Sequence, residues 1–127
     1  MPKDYLKNPP LAEDEMMAAI DIGSNSFHLA FARLDHGEVR KVVSMSEKVQ
    51  LAAGLDENNI LGAAAEKRGL ECLSRFVARL DSVPPERIRV GATNALRQAK
   101  NANDFITRAN KILPKPIEII AGREEAR

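Results

Sequence analysis

The sequence predicts an α/β fold built on a mixed five-stranded sheet, with elements in the order β-β-β-α-β-α-β. Three short runs with strand periodicity follow one another near the N-terminus and are separated by tight-turn residues, a pattern typical of an antiparallel meander. Two segments with helical periodicity then alternate with two short apolar runs, which predicts helices packed on the sheet. The chain has 127 residues, 44% of them hydrophobic, so it can bury one such core.

Composition and charge exclude several classes of protein. Nineteen Lys and Arg against eighteen Asp and Glu give a net charge of +1, which argues against a surface made to coat nucleic acid or an anionic membrane. No apolar run approaches the roughly 18 to 20 residues of a membrane helix, and the charged N-terminus is unlike a signal peptide. With Cys72 as the one cysteine, no intramolecular disulfide can form. We therefore expect a cytoplasmic protein with no membrane span and no nucleic-acid partner.

The meander is expected to follow a polar lead-in. Residues 1–15 hold three prolines and an acidic cluster, and they predict a flexible N-terminal tail. Residues 17–22 form a short apolar run interrupted by Asp21, as in a buried strand. Alternating apolar residues at 27–32 predict the second strand, and an Asp-His-Gly turn leads to an irregular third strand at 39–43.

A long helix is expected after a loop over residues 48–59. Apolar side chains recur in steps of three and four from Ala65 to Leu80, and charged side chains, Glu66 among them, lie on the other side. The Pro-Pro pair after Val83 is expected to end this helix.

The remaining elements are shorter. Residues 88–92 predict the fourth strand, and 94–99 predict one or two helical turns. Residues 101–104 offer N-cap side chains for a second helix, and residues 117–121 predict the fifth strand. Residues 122–127 read as the first turn of a further helix, with carboxylates where the helix dipole favours them. We therefore expect the chain to be a fragment of a longer protein.

The turn after the first strand is the first candidate site. Asp21 ends a strand predicted to be buried, so its charge needs compensation, which a divalent cation can supply, also through water. Gly23 allows a ligand to approach the backbone. Ser24, Asn25 and Ser26 add hydroxyl, amide and backbone N–H donors that suit phosphate oxygens. The same residue types are ordinary in a plain hairpin turn, which composition alone favours, and the spacing of a Walker P-loop is absent.

Two further constellations could serve a phosphate site. Arg97 and Lys100 follow the fourth strand, at the carboxyl end of the sheet where ligands of α/β folds bind. Arg97 can clamp phosphate oxygens, whereas Lys100 fits a solvated helical turn better. Glu124 and Glu125 follow Gly122, and a carboxylate near a phosphate can orient and deprotonate water. A pair of exposed carboxylates at a helix start is the simpler interpretation of these two residues.

Other reactive residue types are read as structural. Cys72 lies on the apolar face of the long helix, so we expect packing rather than a reactive thiol. His28 and His36 have no partner at metal-ligand spacing, which disfavours zinc.

Several stretches resemble one known family. AAIDIGSNSFHLAFARL closely resembles the opening of the exopolyphosphatase and guanosine pentaphosphate phosphatase family. The match continues through VQLAAGL, RGLECLSRF, VGATNALRQAKNANDF and PIEIIAGREEAR. It spans residues 17–127 in the family's order and spacing. LRQAKNANDF and PIEIIAGREEAR are more similar to the exopolyphosphatase branch.

The resemblance implies a fold, an activity and residue roles. Residues 16–127 would form the first lobe of the actin-like ATPase (ribonuclease H-like) fold. The implied reaction is Mg²⁺-assisted attack of water on the terminal phosphate of inorganic polyphosphate, with the 5′ phosphate of guanosine pentaphosphate as the alternative. Asp21, Gly23, Ser24, Asn25 and Ser26 match the first phosphate-binding loop, where Asp21 would reach the metal. The catalytic base matches Glu125, and Arg97 matches a basic residue of the phosphate site.

One departure from the family concerns completeness. The family's second phosphate-binding loop is expected beyond Arg127. If the phosphate site lies between two lobes, this chain would supply the residues of one side only. We therefore expect little activity from the chain alone, and a non-catalytic phosphate-binding module is the alternative. A sugar kinase or chaperone ATPase lobe fits less well, because the Ser-Asn-Ser turn and the Glu pair suit the phosphatases. A homodimer is one way to cover an apolar edge left by a lone half-core.

Overall fold

The computed structural model describes residues 15–120, the side chains of residues 94, 95 and 120 excepted, and shows one five-stranded sheet. Strands β1 (Met16–Ile22), β2 (Ser26–Asp35) and β3 (Glu38–Lys48) form the antiparallel meander. Strands β4 (Ile88–Thr93) and β5 (Glu118–Ile120) continue the sheet on the other side of β1, parallel to it. The order β3-β2-β1-β4-β5 places β1 at the centre. The predicted mixed sheet is confirmed.

Three helices connect the strands in the predicted order. These are α1 (Ala63–Val77), α2 (Asn94–Arg97) and α3 (Ala102–Ile112), and short 3₁₀ turns cover Ala52–Gly54 and Pro85–Arg87. Their lengths and hydropathy in the described part fall short of what a helix needs to cross a membrane.

Two predicted boundaries are displaced. The third strand runs to Lys48, because every residue from Ser44 to Lys48 has a partner on β2. The long helix ends at Val77, well before the prolines, because the chain tightens there into bonds between residues three apart. Leu80 N–H, for example, donates to Val77 C=O at 3.0 Å. Leu80 still turns into the core and is 5% exposed.

The core lies between one face of the sheet and helices α1 and α3. Alternate residues of β1 point to that face and are buried, as the strand period requires. The largest fully buried side chains from β2, α1 and α3 are Phe27, Phe76 and Phe105. Met17 and Ala32 form a small second cluster, and they lie on the opposite face of β1 and β2.

Glu66 does not follow the helical pattern. It was predicted to lie with the exposed charges of α1, yet it is 8% exposed and pairs with Arg108 of α3. Helix α3 packs beside α1 and covers this position, which no periodicity within α1 can reveal. The ion pair offsets the cost of taking the carboxylate out of water.

Asn101 is the N-cap residue of α3, but its side chain makes no capping bond. Its Oδ1 accepts from Leu61 N–H at 2.8 Å, and its Nδ2 donates to Leu61 C=O at 3.0 Å. The amide therefore satisfies both backbone groups of a residue that lies outside the sheet. It joins the loop before α1 to the start of α3.

Candidate functional site

The candidate site lies at the edge where the parallel strands end. Ile22, the last residue of β1, is beside Ala92 of β4, and Thr93 is beside Ile120 of β5. The segments that leave β1, β4 and β5 therefore start at the same edge of the sheet. This is the edge at which α/β sheets bind their ligands.

The turn from β1 to β2 is closed by its own backbone. Gly23 N–H donates to Ser26 C=O at 3.1 Å. A Cβ atom added to Gly23 would lie 2.8 Å from that same oxygen, which is closer than real Cβ contacts come. Glycine is therefore required here by the space inside the turn.

The carbonyl groups of the turn are bonded from one side. Asn25 C=O accepts from Val49 N–H at 3.0 Å and from Gln50 N–H at 2.8 Å, and Ser24 C=O accepts from Ala52 N–H at 3.0 Å. The N–H groups of Ser24 and Asn25 have no hydrogen-bond partner among residues 15–120. Backbone donors without partners in a turn are groups that can bind an anion.

We call residues 49–62 the bracing segment, because its amides hold the turn. Its own shape is set locally: Asp56 Oδ1 accepts from the N–H groups of Asn58 and Ile60 at 2.8 and 3.0 Å. Gln50 has a φ of 57°, in the left-handed region that few non-glycine residues adopt. The sequence predicted a loop here but not its contact with the turn.

The bracing segment also contacts the residues that follow β4. Lys100 N–H donates to Asn59 C=O at 2.8 Å, in addition to the pairing of Asn101 with Leu61. A small, mostly apolar cavity lies between the turn, the bracing segment and the residues that follow β4. It is lined by Gly23, Ser24, Leu51, Ala52, Leu55, Leu61, Leu96 and Ala99. Helix α2 is thus placed beside the turn, and Arg97 at its end is exposed. The structure brings the predicted turn residues and Arg97 to one edge, and Lys100 is solvated, as predicted.

The burial predicted for Asp21 is wrong. Ile20 and Ile22 are 2% and 0% exposed, but Asp21 between them points to the other face of the sheet and is exposed. It lies opposite His28 of β2 and beside Gly91 of β4. No charge has to be compensated because of burial, and the exposed carboxylate is available to a ligand.

Metal-binding side chains are sparse near the turn. The described residues contain no group of three or more His, Cys, Asp or Glu side chains that could hold a metal ion by themselves.

The predicted base Glu125 and its neighbour Glu124 lie outside the described residues, as does most of the predicted N-terminal tail. Glu15, the last residue of that tail, accepts a hydrogen bond from Arg87 Nε at 2.7 Å. Glu125 is the fifth residue after Ile120, and an extended chain spans at most about 18 Å over five residues.

Cys72 is a core residue, as predicted. It is 0% exposed, and burial together with the charge of Glu47 raises its pKa to about 12. The thiol is therefore protonated at neutral pH, and it lacks the exposed thiolate of a reactive cysteine.

The fold defines the class of protein. A sheet in this order, with helices on one face, is the first lobe of an actin-like ATPase fold. The model of the Ppx/GppA phosphatase family matches residues 16–127. The chain belongs to this family.

Similar proteins and structures agree with the family. A "guanosine-5'-triphosphate,3'-diphosphate pyrophosphatase" of Vibrio cholerae is 50% identical over 111 residues, which are 87% of this chain and 22% of that protein. The crystal structure of an Aquifex aeolicus Ppx/GppA family member superposes with a TM-score of 0.80 at 26% identity, over 87% of this chain and 36% of that one. An exopolyphosphatase from Cytophaga hutchinsonii gives a TM-score of 0.78 at 27% identity, over 88% and 36% of the two chains. The chain thus spans about a fifth of the length of the curated relative.

Proposed function

We propose that this lobe belongs to a hydrolase that removes the terminal phosphate from a chain of phosphoanhydrides, with inorganic polyphosphate as the first candidate substrate. The observation that carries the proposal is the turn of residues 24–26. Three backbone bonds hold its carbonyl groups toward the bracing segment, and the N–H groups of Ser24 and Asn25 have no partner among the described residues. A terminal phosphate presents the oxygens that such donors bind.

Arg97 supplies the positive charge in this proposal. It is exposed at the end of α2, beside Leu96, whose side chain lines the same cavity as Gly23 and Ser24. A guanidinium in this region can bind phosphate oxygens in a fork. Fixed donors and charge offset the repulsion between the phosphate chain and an approaching water, and they stabilise the charge of the transition state.

Mg²⁺ is the proposed cofactor, and the residues at this edge fit it. Asp21 offers an exposed carboxylate beside the turn, and the turn adds the side-chain oxygens of Ser24, Asn25 and Ser26. All of these are hard oxygen donors. Mg²⁺ sites commonly use one or two carboxylates together with water and substrate phosphates, so the lack of a larger cluster among the described residues is compatible with it. When bound, the ion would neutralise charge on the phosphate oxygens.

Glu125 is the proposed general base. It would orient and deprotonate the attacking water, so that a bond forms between water oxygen and phosphorus and the bond to the bridging oxygen breaks. In the full-length protein we expect Glu125→Gln to lower kcat for phosphate release by about 10² to 10⁴, with an unchanged melting temperature. Glu124→Gln is the matched control and should stay close to wild type. Wild-type kcat in Glu125→Gln would remove Glu125 from the mechanism.

Guanosine pentaphosphate is the second candidate substrate, and a specific observation favours it. The Vibrio relatives at 49 to 50% identity are named for guanosine-5'-triphosphate,3'-diphosphate, whereas the exopolyphosphatase of known structure is 27% identical. Phosphate release should be measured with long-chain polyphosphate and with guanosine pentaphosphate side by side. A higher kcat/KM with the nucleotide would overturn the preference for polyphosphate. No release from either substrate would refute the proposed function.

The 127-residue chain itself is expected to show little turnover, because the other wall of a two-lobed site is not part of it. Calorimetric titration of the chain with polyphosphate, paired with a phosphate-release assay, tests this. Binding without release supports a phosphate-binding lobe, and robust release would contradict the expectation.

A further inference from the structure

Arg68 of α1 contacts the bracing segment in an unusual way. Its Nε donates to Val49 C=O at 3.0 Å, and its Nη2 lies 3.5 Å from Gln50 C=O. Among the described residues the guanidinium forms no ion pair; its partners are two consecutive backbone carbonyl groups. These carbonyl groups belong to two of the three residues whose N–H groups hold the turn.

The contacts form a continuous path through one peptide group. Val49 C=O, which accepts from Arg68, and Gln50 N–H, which donates to Asn25 C=O at 2.8 Å, belong to the same peptide unit. Hydrogen bonds at the two ends of a peptide polarise one another. The guanidinium of Arg68 therefore strengthens the hydrogen bond from Gln50 N–H to Asn25 C=O. It acts on the turn through two hydrogen bonds and the peptide group between them.

Gln50 needs such support. Its φ of 57° is costly for a residue with a side chain. This torsion sets how the carbonyl groups of Val49 and Gln50 are oriented relative to each other, while the N–H groups of the same two residues meet the single oxygen of Asn25 at 3.0 and 2.8 Å. Arg68 contacts both of these carbonyl groups, so it stabilises the bend at Gln50, whose N–H holds Asn25.

We propose that Arg68 is a positioning residue for the phosphate-binding turn, acting through the peptide between Val49 and Gln50. The proposal rests on the proposed function of the turn. Arg68 itself touches no part of the turn in the contacts described, and it is not expected to touch the substrate. Its role is to keep the carbonyl groups of the turn on one side, so that the N–H groups remain on the other.

Arg75 provides a matched control on the same helix. It lies two helical turns after Arg68 and also reaches toward β3, but its Nε and Nη2 bind the carboxylate of Glu47 at 3.1 and 2.6 Å. It contacts no backbone group of the bracing segment in the described structure. Arg75→Ala thus removes the same side chain from α1, together with a real contact, and leaves the path to Asn25 intact.

The kinetic test uses the full-length protein with long-chain polyphosphate and with guanosine pentaphosphate. Because the turn contacts the phosphate in the ground state and in the transition state alike, Arg68→Ala should raise KM about tenfold and change kcat by less than about threefold. Arg68→Lys keeps the charge and one donor, and should raise KM about threefold. A loss of folded protein would instead lower kcat and leave KM unchanged. Arg75→Ala should keep the wild-type KM.

The structural test needs no substrate. In Arg68→Ala, hydrogen exchange measured by mass spectrometry should become at least about tenfold faster in peptides that contain Val49, Gln50 and Ala52, and it should be unchanged in Arg75→Ala. Unchanged exchange in Arg68→Ala, or an equal effect of Arg75→Ala, would overturn the proposal. If the wild type releases phosphate from neither substrate, the proposed function fails, and the exchange comparison still decides whether Arg68 holds the turn.

Discussion

The two hairpin turns of the meander are built from similar residues and differ in what surrounds them. The turn between β1 and β2 reads Gly23-Ser24-Asn25, and the turn between β2 and β3 reads His36-Gly37 after Asp35. The first receives three backbone hydrogen bonds from the bracing segment. At the second, Asp35 pairs with His36 and with Arg40 of the same hairpin, and the His36 side chain is 93% exposed. Composition therefore identifies a turn, whereas its neighbours decide whether the turn can hold a ligand.

The glycines of these turns show the same contrast. Gly37 has a φ of 80°, and a Cβ there would meet nothing within 4 Å, so its backbone conformation demands glycine. Gly23 has no such φ, but a Cβ there would lie 2.8 Å from Ser26 C=O. Gly37 is needed for its own backbone conformation, whereas Gly23 is needed because another backbone group lies close to it.

Among variants that test the contrast between the two turns, Gly23→Ala has the largest expected effect. The added methyl group must displace Ser26 C=O, a backbone atom, and thereby break the bond that closes the turn. A shift of about 1 Å at a phosphate site can cost about a hundredfold in rate, so we expect kcat/KM for phosphate release to fall about a hundredfold. Steady-state kinetics of the full-length protein checks this. Near-normal kcat/KM in a folded variant would mean that the turn is not the phosphate site.

Arg97→Ala has the next largest expected effect. Loss of a charge-assisted hydrogen bond costs about 1.5 to 3 kcal/mol, so kcat/KM should fall at least tenfold. Lys100→Ala is the control, since Lys100 is exposed and its described contact, to Asn59, is made by its backbone. Equal losses in both variants would indicate a general effect of positive charge rather than a specific role for Arg97.

Gly37→Ala is expected to affect stability alone. Placing a residue with a Cβ in the left-handed conformation lowers the free energy of unfolding by about 1 to 2 kcal/mol. Chemical denaturation can measure this loss. Kinetic constants should stay at wild-type values, because this turn is far along β2 from the edge that holds the candidate site. A loss of activity comparable with that of Gly23→Ala would contradict the division between the two turns.

Much of the fold could be predicted from periodicity. Period-two and period-3.6 patterns placed the strands and the faces of α1 and α3, and those patterns reflect burial directly. The errors arose where another element decides the outcome. Glu66 is covered by α3, Asn101 bonds to a loop forty residues earlier in the chain, and Asp21 points to the open face of the sheet.

The candidate site was recognised only in part. The turn residues and Arg97 were predicted because their residue types and their place after strands are local signals, and the resemblance to a family added Glu125; their roles stay predictions. The bracing segment and Arg68 were missed, because an ordinary loop and an ordinary charged helix position carry no sign of their backbone partners. Such contacts depend on how distant segments approach each other.

The sequence by itself determined the order of strands and helices, the family, and the chemistry available at the first turn, because these follow from local spacing of apolar, small and polar residues. The tertiary structure alone decided which backbone groups of that turn are bonded within the described residues and which are not. The physical reason is that a backbone N–H or C=O group is the same in every residue, so only its spatial neighbours determine whether it is satisfied.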